Sequence, residues 1–106
     1  MSLRLLLGLA TAAVLLGSTD GAFAADYTVV IDKMAYGALP AALHPGDTIT
    51  WQNDDILHHT VTAKDGSFNL DLPSRTSAKM TVGAAGTVAF FCKFHPGMTG
   101  ALVITP

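Results

Sequence analysis

The sequence is poor in the residues that most often mark a protein's chemistry. It has one cysteine, one tryptophan and no glutamate, and only 13% of its 106 residues are charged. A single cysteine cannot close an internal disulfide, and the six lysine or arginine residues form no basic patch of the kind that binds nucleic acid. The low charge leaves partner binding to apolar contact rather than to strong electrostatic steering.

Long apolar runs are also absent, except near the start of the chain. The apolar stretch at 5–17 is well short of the about 20 residues that a membrane-spanning helix needs. A basic tip ending at Arg4 precedes it and a small-x-small triplet, Ala-Phe-Ala at 22–24, follows, which is the pattern of a cleaved secretory signal peptide. We expect cleavage after Ala24, export to the periplasm and one domain at 25–106. An uncleaved N-terminal anchor is the alternative.

The lone cysteine, Cys92, needs an explanation in an exported protein. In an oxidising compartment a free thiol is exposed to disulfide exchange and over-oxidation. Cys92, His95 and Met98 form a C-x2-H-x2-M cluster, and Pro96 and Gly97 supply a bend that returns the three side chains to one point. Thiolate and thioether are soft donors that favour Cu(I), and imidazole suits Cu(II). The cluster therefore predicts a one-copper electron-transfer site.

Short alternating runs between recurring turn residues indicate the fold. No window has a sustained helical period, and the spacing of the runs is typical of an all-β sandwich. No internal repeat, low-complexity segment or linker interrupts residues 25–106, so we expect a single domain. The predicted strands are 27–32, 39–43, 48–52, 59–63, 67–70, 77–82, 87–92 and 101–105.

Alternation along the predicted fourth strand selects the second histidine ligand. Val61 and Ala63 share their face with His59, while His58 lies on the opposite face. Because the apolar face points inward, we expect His59 to reach the metal and His58 to lie outside the site. The same alternation turns Cys92 toward the core.

Four segments also resemble a known family, the cupredoxins, and are most similar to the amicyanin branch of the plastocyanin-like proteins. The segments are 29–51 (VVIDKMAYGALPAALHPGDTITW), 53–63 (NDDxxxHTVTA), 86–98 (GTVAFFCKFHPGM) and 100–104 (GALVI). The resemblance implies an eight-stranded Greek-key β-sandwich or barrel. It also implies one type 1, or blue, copper and one-electron carriage rather than enzymatic catalysis.

The ligand set that this resemblance implies is His59, Cys92, His95 and Met98. It further implies that larger redox proteins, such as a dehydrogenase donor and a c-type cytochrome acceptor, dock through an apolar patch around His95. That patch comprises Met34, Phe94 and Pro96. We expect the protein to act as a monomer.

The sequence departs from the family pattern at three places. His58 stands where the family often has proline, and Thr60 stands where asparagine commonly ties the two ligand loops together. Phe90 and Val88 occupy positions that are usually tyrosine. The changes at 60, 88 and 90 affect the groups around the ligands rather than the ligands themselves, so they bear on the reduction potential more than on the metal.

Two other functions remain open from the residues alone. A copper chaperone or storage protein would use similar soft ligands, and the adjacent His58 and His59 lean that way. A metal-free β-sandwich serving adhesion or assembly would leave the ligand spacing to chance. Met98 as a core methionine and His95 as an ordinary surface residue are the corresponding alternatives.

Three further polar or aromatic positions have simpler interpretations. His44 precedes a Pro-Gly-Asp turn and is interpreted as a solvated loop residue. The pair Asp54 and Asp55 is interpreted as a solvated turn. Trp51 is expected to fill the core.

Overall fold

The computed structural model describes residues 23–106. The predicted signal peptide at 1–24 lies almost wholly outside this range, so its cleavage stays a prediction. Residues 23–106 contain no helix that is long and apolar enough to cross a membrane.

Eight strands in the described part of the chain build two sheets. They are β1 (Asp26–Asp32), β2 (Ala35–Tyr36), β3 (Thr48–Asn53), β4 (His59–Ala63), β5 (Asn69–Leu72), β6 (Ser77–Thr81), β7 (Gly86–Phe91) and β8 (Thr99–Ile104). One sheet has the order β2-β1-β3-β6 and the other the order β5-β4-β7-β8. Strands β1 and β3 run parallel, and the other paired strands are antiparallel. The predicted all-β cupredoxin sandwich is confirmed.

Side-chain alternation explains why these segments form strands around one core. In β3, Ile49, Trp51 and Asn53 are buried while the residues between them are half-buried, as a strand with one face on the core requires. Trp51 packs edge-on against Phe90 of the opposite sheet, with ring centroids 5.3 Å apart. Trp51 therefore fills the core as expected.

One predicted strand is wrong. Residues 39–43 form no strand: 41 and 42 lie in a bend, and Leu43 makes an isolated bridge to β8. Pro40 has no N–H to give to a strand ladder, which weakens the alternating pattern as evidence for a strand. The chain instead forms the short β2 after a tight turn, in which Lys33 and Met34 adopt left-handed φ angles of 51° and 59°.

Three loops meet at one end of the sandwich. The loop after β3 is attached to the β1–β2 turn, because the backbone N–H of Met34 donates to Asp55 Oδ2 over 3.0 Å. It also approaches the loop after β7, since the rings of His58 and Phe94 lie 4.6 Å apart. These three loops hold His59, at the start of β4, at the same end as the Cys-x-x-His-x-x-Met segment.

Candidate metal centre

His59 and Cys92 form a buried pair at this end of the core. Both are 0% exposed, and Cys92 Sγ lies 3.7 Å from His59 Nδ1. A metal about 2.3 Å from sulfur and about 2.0 Å from nitrogen, at a trigonal angle, would place the two donor atoms about 3.7 Å apart. The separation of the pair therefore fits two ligands of one metal ion.

The hydrogen bond behind His59 determines which ring nitrogen is free. His59 Nε2 lies 2.9 Å from Asp55 Oδ2, and this bond, followed by the one from the Met34 N–H, lowers the pKa of Asp55 to about 2. An ionised carboxylate can only accept, so Nε2 carries the proton. In the neutral ring, Nδ1 is then the nitrogen without a proton, and it lies on the Cys92 side, as metal binding requires.

The loop from Cys92 to Met98 is closed by two backbone hydrogen bonds. The Met98 N–H donates to the His95 carbonyl over 2.8 Å, and the Cys92 N–H donates to the Met98 carbonyl over 3.1 Å. Met98 is 6% exposed, and the half-buried His95 ring lies 5.0 Å from the His59 ring, centroid to centroid. Spacing and structure thus bring all four predicted ligands to one end of the core.

Met98 adds a thioether to the donors of this candidate site. Within residues 23–106 no group of three or more His, Cys, Asp or Glu side chains is arranged to hold a metal ion, so the argument for copper depends on the types of donor at this end of the core. Two imidazoles, one thiol and one thioether are the donor set that suits copper in both oxidation states. Ligation by His59, Cys92, His95 and Met98 remains a prediction that the geometry supports.

Thr60 joins the two ligand loops in place of the family asparagine. Its backbone N–H donates to Cys92 Sγ over 3.4 Å, and its Oγ1 accepts from the Lys93 N–H at 2.9 Å. The Tyr36 hydroxyl donates to the Thr60 carbonyl over 2.6 Å. Burial, and secondarily the nearby Cys92, raises the pKa of Tyr36, so this hydroxyl remains a donor. The shorter threonine therefore still fixes the loop that holds Cys92.

His58 lies outside the buried pair, as the alternation predicts. Its side chain is 43% exposed, its Nε2 lies 2.7 Å from Asp71 Oδ1, and its ring packs on Phe94. The adjacent histidines were the feature that favoured a copper chaperone, and His58 is instead bound to Asp71 and packed on Phe94. His44 is also a largely exposed loop residue, with its side chain 52% exposed.

The surface around His95 is apolar. Phe94 is 53% exposed and Met34 is 43% exposed, and Pro96 is exposed as well. Ile56 and Leu57 were not part of the predicted patch, and they are 73% and 38% exposed in the loop after β3. Both residues follow Asp55, which binds the Met34 N–H, so they lie at the same end of the molecule as the patch.

The solvated-turn interpretation is wrong for Asp55 and right for Asp54. Asp54 is exposed, whereas the Asp55 side chain is 12% exposed and is bonded to His59. The D-x-x-x-H spacing that leads into an inward-facing histidine is the sequence feature that could have indicated this contact.

Comparisons with known proteins indicate the family of this chain. No protein-family model matches the chain. The amicyanin of Paracoccus versutus is 31% identical over 76% of this chain and 66% of its own length. Amicyanin-alpha of Methylorubrum extorquens is 31% identical over 90% of this chain and 87% of its own length. A solved reduced Cu(I) form of an amicyanin variant superposes with a TM-score of 0.61 at 31% identity, covering 80% of this chain and 86% of that one.

The two-sheet sandwich with a buried His–Cys pair at one end is that of the cupredoxins. Because the match at 31% identity spans 87% of a curated amicyanin, the chain belongs to the amicyanin family. It is therefore a blue copper electron-transfer protein with one type 1 copper, and it is a carrier rather than an enzyme.

Proposed function

We propose that this protein shuttles single electrons between larger redox proteins in the periplasm. One observation supports this most: the half-buried ring of His95 lies 5.0 Å from the buried ring of His59 and belongs to a loop whose neighbouring Phe94 is exposed. A metal at the His59–Cys92 pair would thus be linked to the surface by a single imidazole. His59, Cys92, His95 and Met98 would hold the copper, which supplies a Cu(I)/Cu(II) couple when bound.

The chain's own contribution is to keep these donors fixed and dry. His59 and Cys92 are fully buried, so water has no access to that side of the site. The Thr60 N–H already donates to Cys92 Sγ, which helps to hold the sulfur in place. Donors that do not move when the charge changes keep the reorganisation on electron transfer small.

The apolar surface around His95 suits brief encounters with a partner. Phe94, Met34, Ile56 and Leu57 are all exposed there, and a patch built from single side chains supports an interface below about 1,200 Å², the size of weak electron-transfer complexes. Fast turnover requires that the partner leaves after each transfer. A dehydrogenase donor and a c-type cytochrome acceptor are partners of this kind.

Electron transfer to a soluble c-type cytochrome tests this docking surface. We expect Phe94→Asp to lower the second-order rate constant by about tenfold, which corresponds to about 1.4 kcal/mol of lost contact. Val103→Asp is the matched control, since Val103 is 54% exposed but lies near the far end of β8. Equal rate constants in the two variants, measured by stopped-flow absorption, would contradict docking at His95.

Export is the part of the proposal that depends on residues 1–24. The basic tip, the apolar stretch and the Ala-Phe-Ala triplet support cleavage after Ala24. Expression of the full sequence in a Gram-negative host, followed by mass spectrometry of the periplasmic fraction, should recover a chain that begins at Ala25. Recovery of the full-length chain from the membrane fraction would indicate an uncleaved anchor instead.

A further inference from the structure

Asp55 is held at the centre of a small network beside the site. One carboxylate oxygen, Oδ2, accepts from both His59 Nε2 at 2.9 Å and the Met34 N–H at 3.0 Å. Its backbone is anchored as well: the Asp55 N–H donates to Asn53 Oδ1 over 2.9 Å, and its carbonyl accepts from Ser74 Oγ at 2.7 Å. The fold therefore fixes the Asp55 backbone so that its carboxylate points at His59.

The anchor of this network is itself fixed in the core. Asn53 is 0% exposed, and its Nδ2 donates to the Leu57 carbonyl over 2.8 Å and to the Leu72 carbonyl over 2.9 Å. The Asn53 side chain thus connects the start of the loop after β3 to a later residue of that loop and to β5 of the other sheet. A buried amide with its hydrogen bonds satisfied keeps such a loop in one conformation.

We infer that Asp55 is a positioning residue for the copper site. Its carboxylate holds His59 in the tautomer with a free Nδ1 and lowers the reduction potential of the bound metal. The inference rests on the proposed ligand role of His59 and adds the group that orients that ligand. A carboxylate on the far nitrogen of a ligating histidine fixes the ring and makes it a stronger donor. Its negative charge favours Cu(II), the more positive state, over Cu(I).

The same carboxylate connects the copper ligand to the docking surface. Because Oδ2 is shared between His59 and the Met34 N–H, the turn that presents the exposed Met34 is attached directly to the buried ligand. That turn contains two residues with left-handed φ, Lys33 and Met34, a conformation that needs support from its surroundings. Loss of the Asp55 carboxylate should therefore disturb the ligand and the turn together.

Paired charge removals test the effect on potential. Asp55→Asn keeps the shape of the side chain and removes its charge. Asp54→Asn removes the same charge one residue away, from an exposed side chain that accepts a hydrogen bond from Gln52 Nε2. We expect the midpoint potential of the copper-loaded protein to rise several times more in Asp55→Asn than in Asp54→Asn. Equal shifts in the two variants would overturn the inference.

A second readout needs no copper. The ¹⁵N chemical shifts of the His59 ring in the apo protein report which nitrogen carries the proton. We expect a proton on Nε2 and none on Nδ1 in the wild type, the same tautomer in Asp55→Glu, and loss of this preference in Asp55→Ala. A wild-type ring protonated on Nδ1 would overturn the inference whether or not the alanine variant folds.

Failure here is distinguishable from failure of the proposed function. If the copper-loaded wild type is blue but the charge removals act equally, the copper role stands and the role of Asp55 is wrong. If the wild type gives no blue band at all, the ligand set itself is wrong.

Discussion

Two adjacent histidines on β4 have opposite environments, and a substitution at each should show it. His59 is fully buried against Cys92, whereas the His58 side chain is 43% exposed and bonded to Asp71. We predict that His59→Ala loses the blue absorption band on copper loading because an in-plane ligand is gone. His58→Ala should keep the band, with at most a modest change in potential.

The two variants serve as controls for each other, since they remove the same side chain from neighbouring positions. The measurement is visible absorption after addition of one equivalent of Cu(II). If His58→Ala lost the band while His59→Ala kept it, the orientation of β4 would be the reverse of the one described.

What the sequence could predict at this scale depends on the kind of contact. Strand alternation is a local rule, so it placed His59 inward and His58 outward correctly. The bond between Asp55 and His59 depends on the path of an irregular loop, which the buried Asn53 determines through bonds to Leu57 and Leu72. The D-x-x-x-H spacing brings the two residues close along the chain but does not determine this path, and Asp55 was therefore misinterpreted.

Between strands β7 and β8, an aromatic ring covers a glycine. Phe90 and Gly100 are direct cross-strand partners, and a Cβ added to Gly100 would lie 2.5 Å from Phe90 Cζ. We predict that Gly100→Ala lowers the free energy of unfolding by about 1–3 kcal/mol, because the ring must shift within a packed core. Urea unfolding of the apo protein measures this effect.

Gly83→Ala is the matched control for this prediction. Gly83 lies in the loop after β6, and no heavy atom of the described part of the chain lies within 4 Å of an added Cβ, so the same methyl group meets open space there. A loss of stability at Gly100 no larger than that at Gly83 would show that Phe90 does not restrict this position.

Asp47, in the turn before β3, makes the stability of the folded protein depend on pH. Asp47 is 4% exposed, and hydrogen bonds from the Ala25 and His44 backbone N–H groups lower the pKa of its carboxyl. A depressed folded-state pKa stabilises the protein above the unfolded pKa of about 3.9. That contribution is lost as the pH falls through the lower, folded-state pKa.

Asp47→Asn should therefore be less stable than the wild type at neutral pH and lose less stability on acidification. Thermal unfolding of the apo protein between about pH 2 and 7 compares the two chains over this window. The Asp55 carboxyl, whose pKa is also lowered, remains in both proteins. Parallel stability curves for the wild type and Asp47→Asn would contradict the role given to this turn.

Strand prediction succeeded where alternation was uninterrupted and failed where backbone chemistry intervened. His59–Ala63 was predicted with the bounds of β4, because its apolar and polar residues alternate cleanly. The segment containing Pro40 imitates a strand in its apolar content but lacks a needed N–H donor. The two-residue β2 depends on left-handed φ angles at Lys33 and Met34, which neither residue type signals.

For the molecule as a whole, the fold and the site support the same conclusion. The domain is small, and a chain of this size often gains part of its stability from a bound metal. Here the buried His59 and Cys92 belong to the core and also to the site. The two sheets pack face to face, and the four predicted ligands lie at one end of the core between them. Two backbone hydrogen bonds close the short loop from Cys92 to Met98 at this end.

Sequence motifs were sufficient to predict the class of protein because spacing and alternation act together here. The C-x2-H-x2-M spacing limits three donors to one loop, and the inward face of β4 supplies the fourth. The partner and the reduction potential depend on exposed surfaces and on charges around the site, such as those at Phe94 and Asp55, and the C-x2-H-x2-M spacing does not describe them.

The absorption spectrum of the mature protein loaded with one equivalent of Cu(II) tests the copper role most directly. A Cys92 thiolate bound in a trigonal field should give an intense blue charge-transfer band, and Cys92→Ser should abolish the band while the apo fold remains. A weak, pale spectrum in the wild type, or a blue band that survives Cys92→Ser, would contradict the assignment of this chain as a type 1 copper electron carrier.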